Sequence, residues 1–314
     1  MSGSNVTKYV LRKCAYTLVV LWLASLAVFY GLRITPGNPA NFTVSPIMSP
    51  AVRAQINRQL GLDAPLLVQY WHFFHGILTG HLGLSFISRQ PISQIISQST
   101  PHTLELAGAA LLLVLVIGIP LGMVSALRRN GVVDRVVGLL GPLGMGIPNF
   151  VLALLLITIF GLDLHWLPVA GSGGLKYLVL PAVVLALEPL VVTVRIMRAS
   201  ALEQLNLDYV RTLRAKGLGR HRIVWQHILR NSLGPIISLT AVQLRTLLGY
   251  TLIVEVIFRW PGLGEALVNA VLTRDYSTCQ VLALMLTSAV IVLSFLADIG
   301  LAFTDPRVRA KVAT

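Results

Sequence analysis

The sequence predicts an all-α integral membrane protein with six transmembrane helices, and three observations predict it. Of its 314 residues, 55% are hydrophobic and only 12% charged, with mean hydropathy +0.77, whereas a soluble domain carries about 25% charged residues. Four runs, 14–32, 106–127, 136–162 and 276–297, contain no Asp, Glu, Lys or Arg, and each is long enough to cross a hydrocarbon core of about 30 Å as a helix. The third observation is where the charge lies. A net charge of +13 would suggest nucleic acid in a soluble protein, but these Lys and Arg residues sit between apolar stretches. There they orient the chain in the membrane, and no nucleic-acid partner is expected.

The first run follows Lys8, Arg12 and Lys13. It is longer than the apolar region of a usual secretory signal and no A-x-A site follows it, so it reads as an uncleaved anchor. Two further spans, 177–194 and 231–254, are expected if each tolerates one ionisable residue, Glu188 and Arg245 respectively. With the N-terminus inside, 17 basic residues fall on the inner side and 7 on the outer, with Arg245 in the membrane. This asymmetry predicts that both termini are cytoplasmic.

Two connections are too long to be simple links. The segment 33–102 is expected to be a small, structured external cap. It holds a Pro/Gly turn at Thr35-Pro36-Gly37-Asn38-Pro39, a helix over 49–60 capped by Ser49, and a helix over 65–78 carrying Tyr70, Trp71, Phe73 and Phe74. Those aromatics suit a membrane–water boundary or a docking surface. The inner segment 197–231 predicts a short basic helix stopped by Gly217, which can take the left-handed conformation that closes a helix. A second helix over 222–229 then leads into the fifth span. The expected organisation is thus 1–32 (N-terminus and first span), 33–102 (cap), 103–303 (core with the loop 197–231) and 304–314 (tail).

At the inner loop the sequence resembles the permease subunits of bacterial ATP-binding-cassette importers of the dipeptide/oligopeptide/nickel family. Asp208-Tyr209-Val210-Arg211-Thr212-Leu213-Arg214-Ala215-Lys216-Gly217-Leu218 is similar to their DY-[IV]-RTARAKGL signature, with Leu213 in place of Ala, and His227-Ile228-Leu229-Arg230-Asn231 and Pro235 follow. Pro36-Gly37-Asn38-Pro39, Gly80-His81-Leu82-Gly83-Leu84-Ser85, Thr103-Leu104-Glu105-Leu106-Ala107, Glu255-Val256-Ile257-Phe258-Arg259-Trp260-Pro261-Gly262-Leu263-Gly264 and Arg274-Asp275-Tyr276 extend the match. The resemblance implies a type I ABC importer permease in the bacterial inner membrane. Its partners would be a homologous second permease, two cytoplasmic ATPases and an external solute-binding protein, with membrane lipid around it. It also implies that Tyr209, Arg211, Thr212, Arg214, Ala215, Lys216, Gly217 and Leu218 form the element that couples the spans to an ATPase, and that Glu255 shapes an outer gate.

ATP and Mg are expected on the ATPases and no cofactor on this chain, because none of its five lysines follows a GxxxxG phosphate loop. The chain is therefore expected to be no enzyme. Glu188 and Arg245 are candidates for the translocation path, since intramembrane charges usually face a bundle interior or a watery cavity. His72, His75 and His81 lack a nearby carboxylate or thiolate, and no metal site is expected. The short loop 163–176 is similar to the nickel and metal-chelate branch, so nickel or a nickel chelate is the expected cargo, with short peptides or glutathione as the alternative. An ion-driven secondary transporter is the rival class, although the internal repeat common among such proteins is not visible.

Overall fold

The computed structural model describes residues 3–34 and 63–304; the expected helix over 49–60 and the turn at 35–39 lie outside them. The described residues form helices α1 (Gly3–Ile34), α2 (Leu66–Thr79), α3 (Ile92–Leu127), α4 (Val132–Gly146), α5 (Asn149–Asp163), α6 (Leu175–Leu205), α7 (Asp208–Ala215), α8 (Arg220–Phe258), α9 (Leu263–Leu272) and α10 (Tyr276–Thr304). Val10–Ile34 of α1, the whole of α3, α6 and α8, and Tyr276–Gly300 of α10 are long and apolar enough to span a membrane. The pair α4 and α5 makes the sixth candidate.

That sixth candidate corrects the expectation of one uninterrupted span over 136–162. The helix breaks at Ile147 and Pro148 and bends by 105°. Pro148 lacks the N–H needed to continue α4, and it forces the preceding residue out of helical geometry. Ile147 accordingly is extended, at φ −88° and ψ 117°. Two further boundaries differ from expectation. Helix α3 starts at Ile92, inside the segment expected as cap, because the absence of charge marks only the membrane part of a helix. The expected separate helix over 222–229 is the foot of α8, which runs on without interruption. No Gly or Pro intervenes before Gly234, and a π-helical stretch, Ile223–Ile228, absorbs the local irregularity.

Contacts divide the chain into two compact units. The first holds α1, α2, the start of α3, α9 and most of α10. Here Tyr70 of α2 meets Ser25 of α1 through its hydroxyl at 2.8 Å and stacks edge-on against Phe29 at 5.3 Å. Phe73 packs on Phe29 and Phe74 on Tyr70, while Trp71 stays exposed. The aromatic run expected to face a boundary or a docking partner is therefore mostly packing between α1 and α2. Arg33 lies 3.5 Å over the Phe29 ring and donates from Nη2 to Gln69 Oε1 at 3.1 Å.

The second unit holds the remaining length of α3 and α4 to α8. Val184 and Leu185 of α6 are fully buried against Leu106 and Val114 of α3 and Leu247 and Val254 of α8. Lipid is as apolar as these side chains, so close van der Waals packing, not expulsion from water, holds such helices together. Gly122 permits that approach. A Cβ there would stand 2.7 Å from both the Cβ of Met197 and the carbonyl oxygen of Val194.

Candidate coupling surface and translocation path

The end of the second unit that carries α7 is built around a separate apolar cluster, with Met123, Met197, Val210, Ile223 and Ile228 buried in it. Val210 pins the back of α7 to this cluster. Tyr209, beside it, donates its hydroxyl to Gln204 at 3.0 Å and accepts from Asn231 Nδ2 at 3.4 Å. The end of α7 is closed by a paired backbone motif. Gly217 N–H bonds the carbonyl of Arg214 at 2.9 Å, and Leu218 N–H bonds that of Leu213 at 3.2 Å. These are the two bonds of a Schellman cap, which needs a left-handed residue between them. Gly217 supplies it at φ +78°, and Leu213 and Leu218 complete the motif by packing on the same cluster.

The eight residues expected to couple therefore divide by role. Tyr209 and Leu218 anchor, while Arg211, Thr212, Arg214, Ala215, Lys216 and Gly217 are exposed. Arg211 has only a loose, solvent-exposed contact with Asp208 at 3.6 Å, which contributes little to stability. Nothing lies within 4 Å of a Cβ built on Gly217. The anchored back and open front give a rigid basic knob.

A second feature of this end escaped the sequence reading. The buried Asp134 carboxylate accepts from Arg198 Nε and, at 2.9 Å, from Arg198 Nη2, from Ser125 Oγ at 2.6 Å, and from the N–H of Asn130 at 2.9 Å. This two-pronged pair ties the ends of α3, α4 and α6 together. Asp134 and Arg198 are 64 residues apart, and no local pattern marks them as partners.

The three candidate path residues do not converge. Glu255 is completely buried. Glu188 is half-buried and Arg245 exposed, and neither makes an ion pair or hydrogen bond with any described residue. The reason for the exposure of Arg245 lies two residues earlier. Gln243 Nε2 reaches across to the Pro189 carbonyl and Thr193 Oγ1 of α6, both at 2.9 Å. At about 100° per residue, Arg245 lies about 200° further round α8 and faces away from α6. The Gln243–Thr193 bridge also sets the depth. Glu188, next to Pro189, and Arg245 lie at nearly the same level of these two antiparallel helices. His72 and His75 are exposed on α2, and among the described residues no three His, Cys, Asp or Glu side chains gather where an ion could bind.

An all-helical chain with five or six apolar spans and an anchored basic turn has the construction of a transporter's membrane subunit, and comparison with known proteins supplies the class. Residues 118–310 match the binding-protein-dependent transport system inner membrane component, and residues 6–107 match its N-terminal region. The chain belongs to this family. It is a permease subunit of an ABC importer, and ATP hydrolysis in such systems is carried by separate subunits. The ion-driven alternative falls away.

The chain is 35% identical over 303 residues to the glutathione transport system permease protein GsiC of Salmonella typhi, covering 96% of this chain and 99% of that one. It is 34% identical, with the same coverage, to GsiC of Escherichia coli strain K12. In architecture it is similar to the inward-facing MetNI methionine ABC transporter, with TM-score 0.55 and 20% identity over 66% of this chain and 95% of that one.

Proposed function

We propose that this chain works in the bacterial inner membrane with a second, homologous permease, two cytoplasmic ATPases and an external solute-binding protein, and that short peptides of the glutathione class are its cargo. Both termini face the cytoplasm in this reading, and the segment 33–102 receives the binding protein. The peptide assignment is supported by whole-length similarity to glutathione permeases. Nickel, favoured by the short loop 163–176, is the second reading. Uptake of radiolabelled glutathione against radiolabelled nickel by the reconstituted complex separates them.

The observation that carries the coupling assignment is the Schellman-capped turn, with six of its residues open to a partner and its back pinned to the cluster beneath α3, α6 and α8. ATP-driven motion of an ATPase pushing on this turn would pass through Val210 and Ile223 into α6 and α8. Gly217→Val tests it. The left-handed backbone costs a β-branched residue about 1–2 kcal/mol, and the added side chain would project outward, with no described residue within 4 Å of its Cβ. We expect correctly inserted permease but loss of ATPase recovery on purification, or of its stimulation by loaded binding protein. Gly217→Asn, which tolerates a left-handed conformation, should be milder. Normal recovery and normal stimulation in Gly217→Val would sink the assignment.

Arg245 and Glu188 are proposed to line the translocation path. Their equal depth and lack of partners among the described residues suit groups that meet water or a zwitterionic cargo, not lipid.

A further inference from the structure

Behind the coupling turn lies a cavity of about 450 Å³, independent of any choice of cargo. Leu127 and Leu205, the last residues of α3 and α6, line it together with Leu218. The π-helical foot of α8 contributes Ile223, Val224 and Ile228. Only two charged side chains line it, Arg214 and Arg220, and both are cations. Both are exposed, and neither has an ion-pair or hydrogen-bond partner among the described residues. Trp225, next in α8 to the lining residue Val224, is also exposed.

These features fix the level of the cavity and the chemistry it accepts. Leu127 closes the uncharged run 106–127, so that wall of the cavity stands where the hydrocarbon stops, while Leu205 lies beyond Arg195, Arg198 and Glu203 of α6. An exposed Trp suits the headgroup zone. The aliphatic part of this half-polar lining would by itself accept any acyl chain. Two unpartnered guanidinium groups at its rim add a preference for a phosphate that carries net charge, because Arg offers fork-like donors to phosphate oxygens. We propose that this cavity binds one anionic phospholipid of the inner leaflet, its phosphate between Arg214 and Arg220 and the first carbons of an acyl chain against Ile223, Val224 and Ile228. The lipid would then brace the underside of α7, the element that meets the ATPase.

Native mass spectrometry of the detergent-purified transporter complex tests this, with phosphatidylglycerol and phosphatidylcholine of identical chains added in turn. The wild type is expected to retain one phosphatidylglycerol at least tenfold more strongly than phosphatidylcholine. Arg220→Ala, at an exposed position, should reduce that retention about tenfold, and Arg220→Lys should restore much of it. Val224→Trp, which fills the chamber, should abolish retention; a complex that still assembles at the correct mass keeps this variant interpretable, and Arg220→Ala stands if it does not. Equal retention of the two lipids would overturn the proposal, as would unchanged retention in Arg220→Ala. Displacement by soluble glycerol 3-phosphate at equal concentration would overturn it in favour of a simple phosphate site. Retention seen only after the ATPases are removed would reassign the cavity to the ATPase contact.

Discussion

Two aspartates hold this molecule together, and they do so differently. Asp134, at the end of the second unit that carries α7, is neutralised by a cation, with Arg198 gripping both of its oxygens. Asp275, in the other unit at the start of α10, is held by neutral donors. Ser85 Oγ donates to it at 2.5 Å, Thr278 Oγ1 at 2.8 Å, and the N–H groups of Phe86 and Thr278 at 3.2 Å each. Deep in the spans a third kind of tie appears, in which Gln243, an uncharged amide, joins α8 to α6. The series is instructive. Charge serves structure near the ends of the helices, where water helps to solvate it, and neutral groups serve in the interior, where an ion costs most. Against that pattern, Glu188 and Arg245 are intramembrane charges without an ion pair or hydrogen bond among the described residues.

The largest effect is expected at Asp134. We predict that Asp134→Ala lowers stability by about 3 kcal/mol, the low end of the range for buried pairs, because Arg198 is 32% exposed and water can partly solvate the orphaned guanidinium. Thermal unfolding of the purified complex in detergent measures it. Asp275→Ala should cost about 2 kcal/mol, since it strands four donors that had a single acceptor, two of them backbone N–H groups. Limited proteolysis between residues 84 and 91 should accelerate in this variant, because Ser85 loses its tether. If the Asp275 variant proved the more damaging of the two, the ranking of charged over neutral ties would be broken.

Gln243→Leu should cost about 1 kcal/mol, the usual net value of an interior hydrogen bond offset by the apolar replacement. The smallest stability effects are expected for Glu188→Gln and Arg245→Leu, within about 0.5 kcal/mol, as for positions without a structural partner. Both should alter transport in proteoliposomes while the complex still assembles. Marked loss of stability from either, with transport per assembled complex unchanged, would return these residues to a structural role.

The spans were legible in the sequence because lipid imposes a simple rule, that long uncharged runs must be helical. The turn that closes α7 was legible because one residue type, Gly at 217, satisfies the left-handed closure. The break at Ile147 and Pro148 went unread although its cause is local: composition registers an apolar proline as membrane-compatible, while its missing N–H decides the geometry. Asp134 with Arg198, and Ser85 with Asp275, could not be read at all. Each depends on where distant helix ends arrive, and one sequence carries no record of that. The aromatic run of α2 misled in the opposite sense, since large amphipathic rings serve packing and interfaces equally well.

The π-helical stretch Ile223–Ile228 has a consequence for phase. Such a bulge amounts to one extra residue accommodated within an otherwise regular helix, so the facing of everything beyond it is preserved. Deleting one residue there would let α8 run as a plain α-helix from its foot. Its upper length would then keep its facing relative to that foot, with Gln243 still on Pro189 and Thr193. Deleting one residue between Leu229 and Val242, outside the bulge, would instead turn the upper length by about 100° and carry Gln243 off both partners, while the foot would keep Ile223 in its cluster. The bulge thus acts as the splice at which two separately ordered registers meet, one answering to the turn that closes α7 and the other to the bundle.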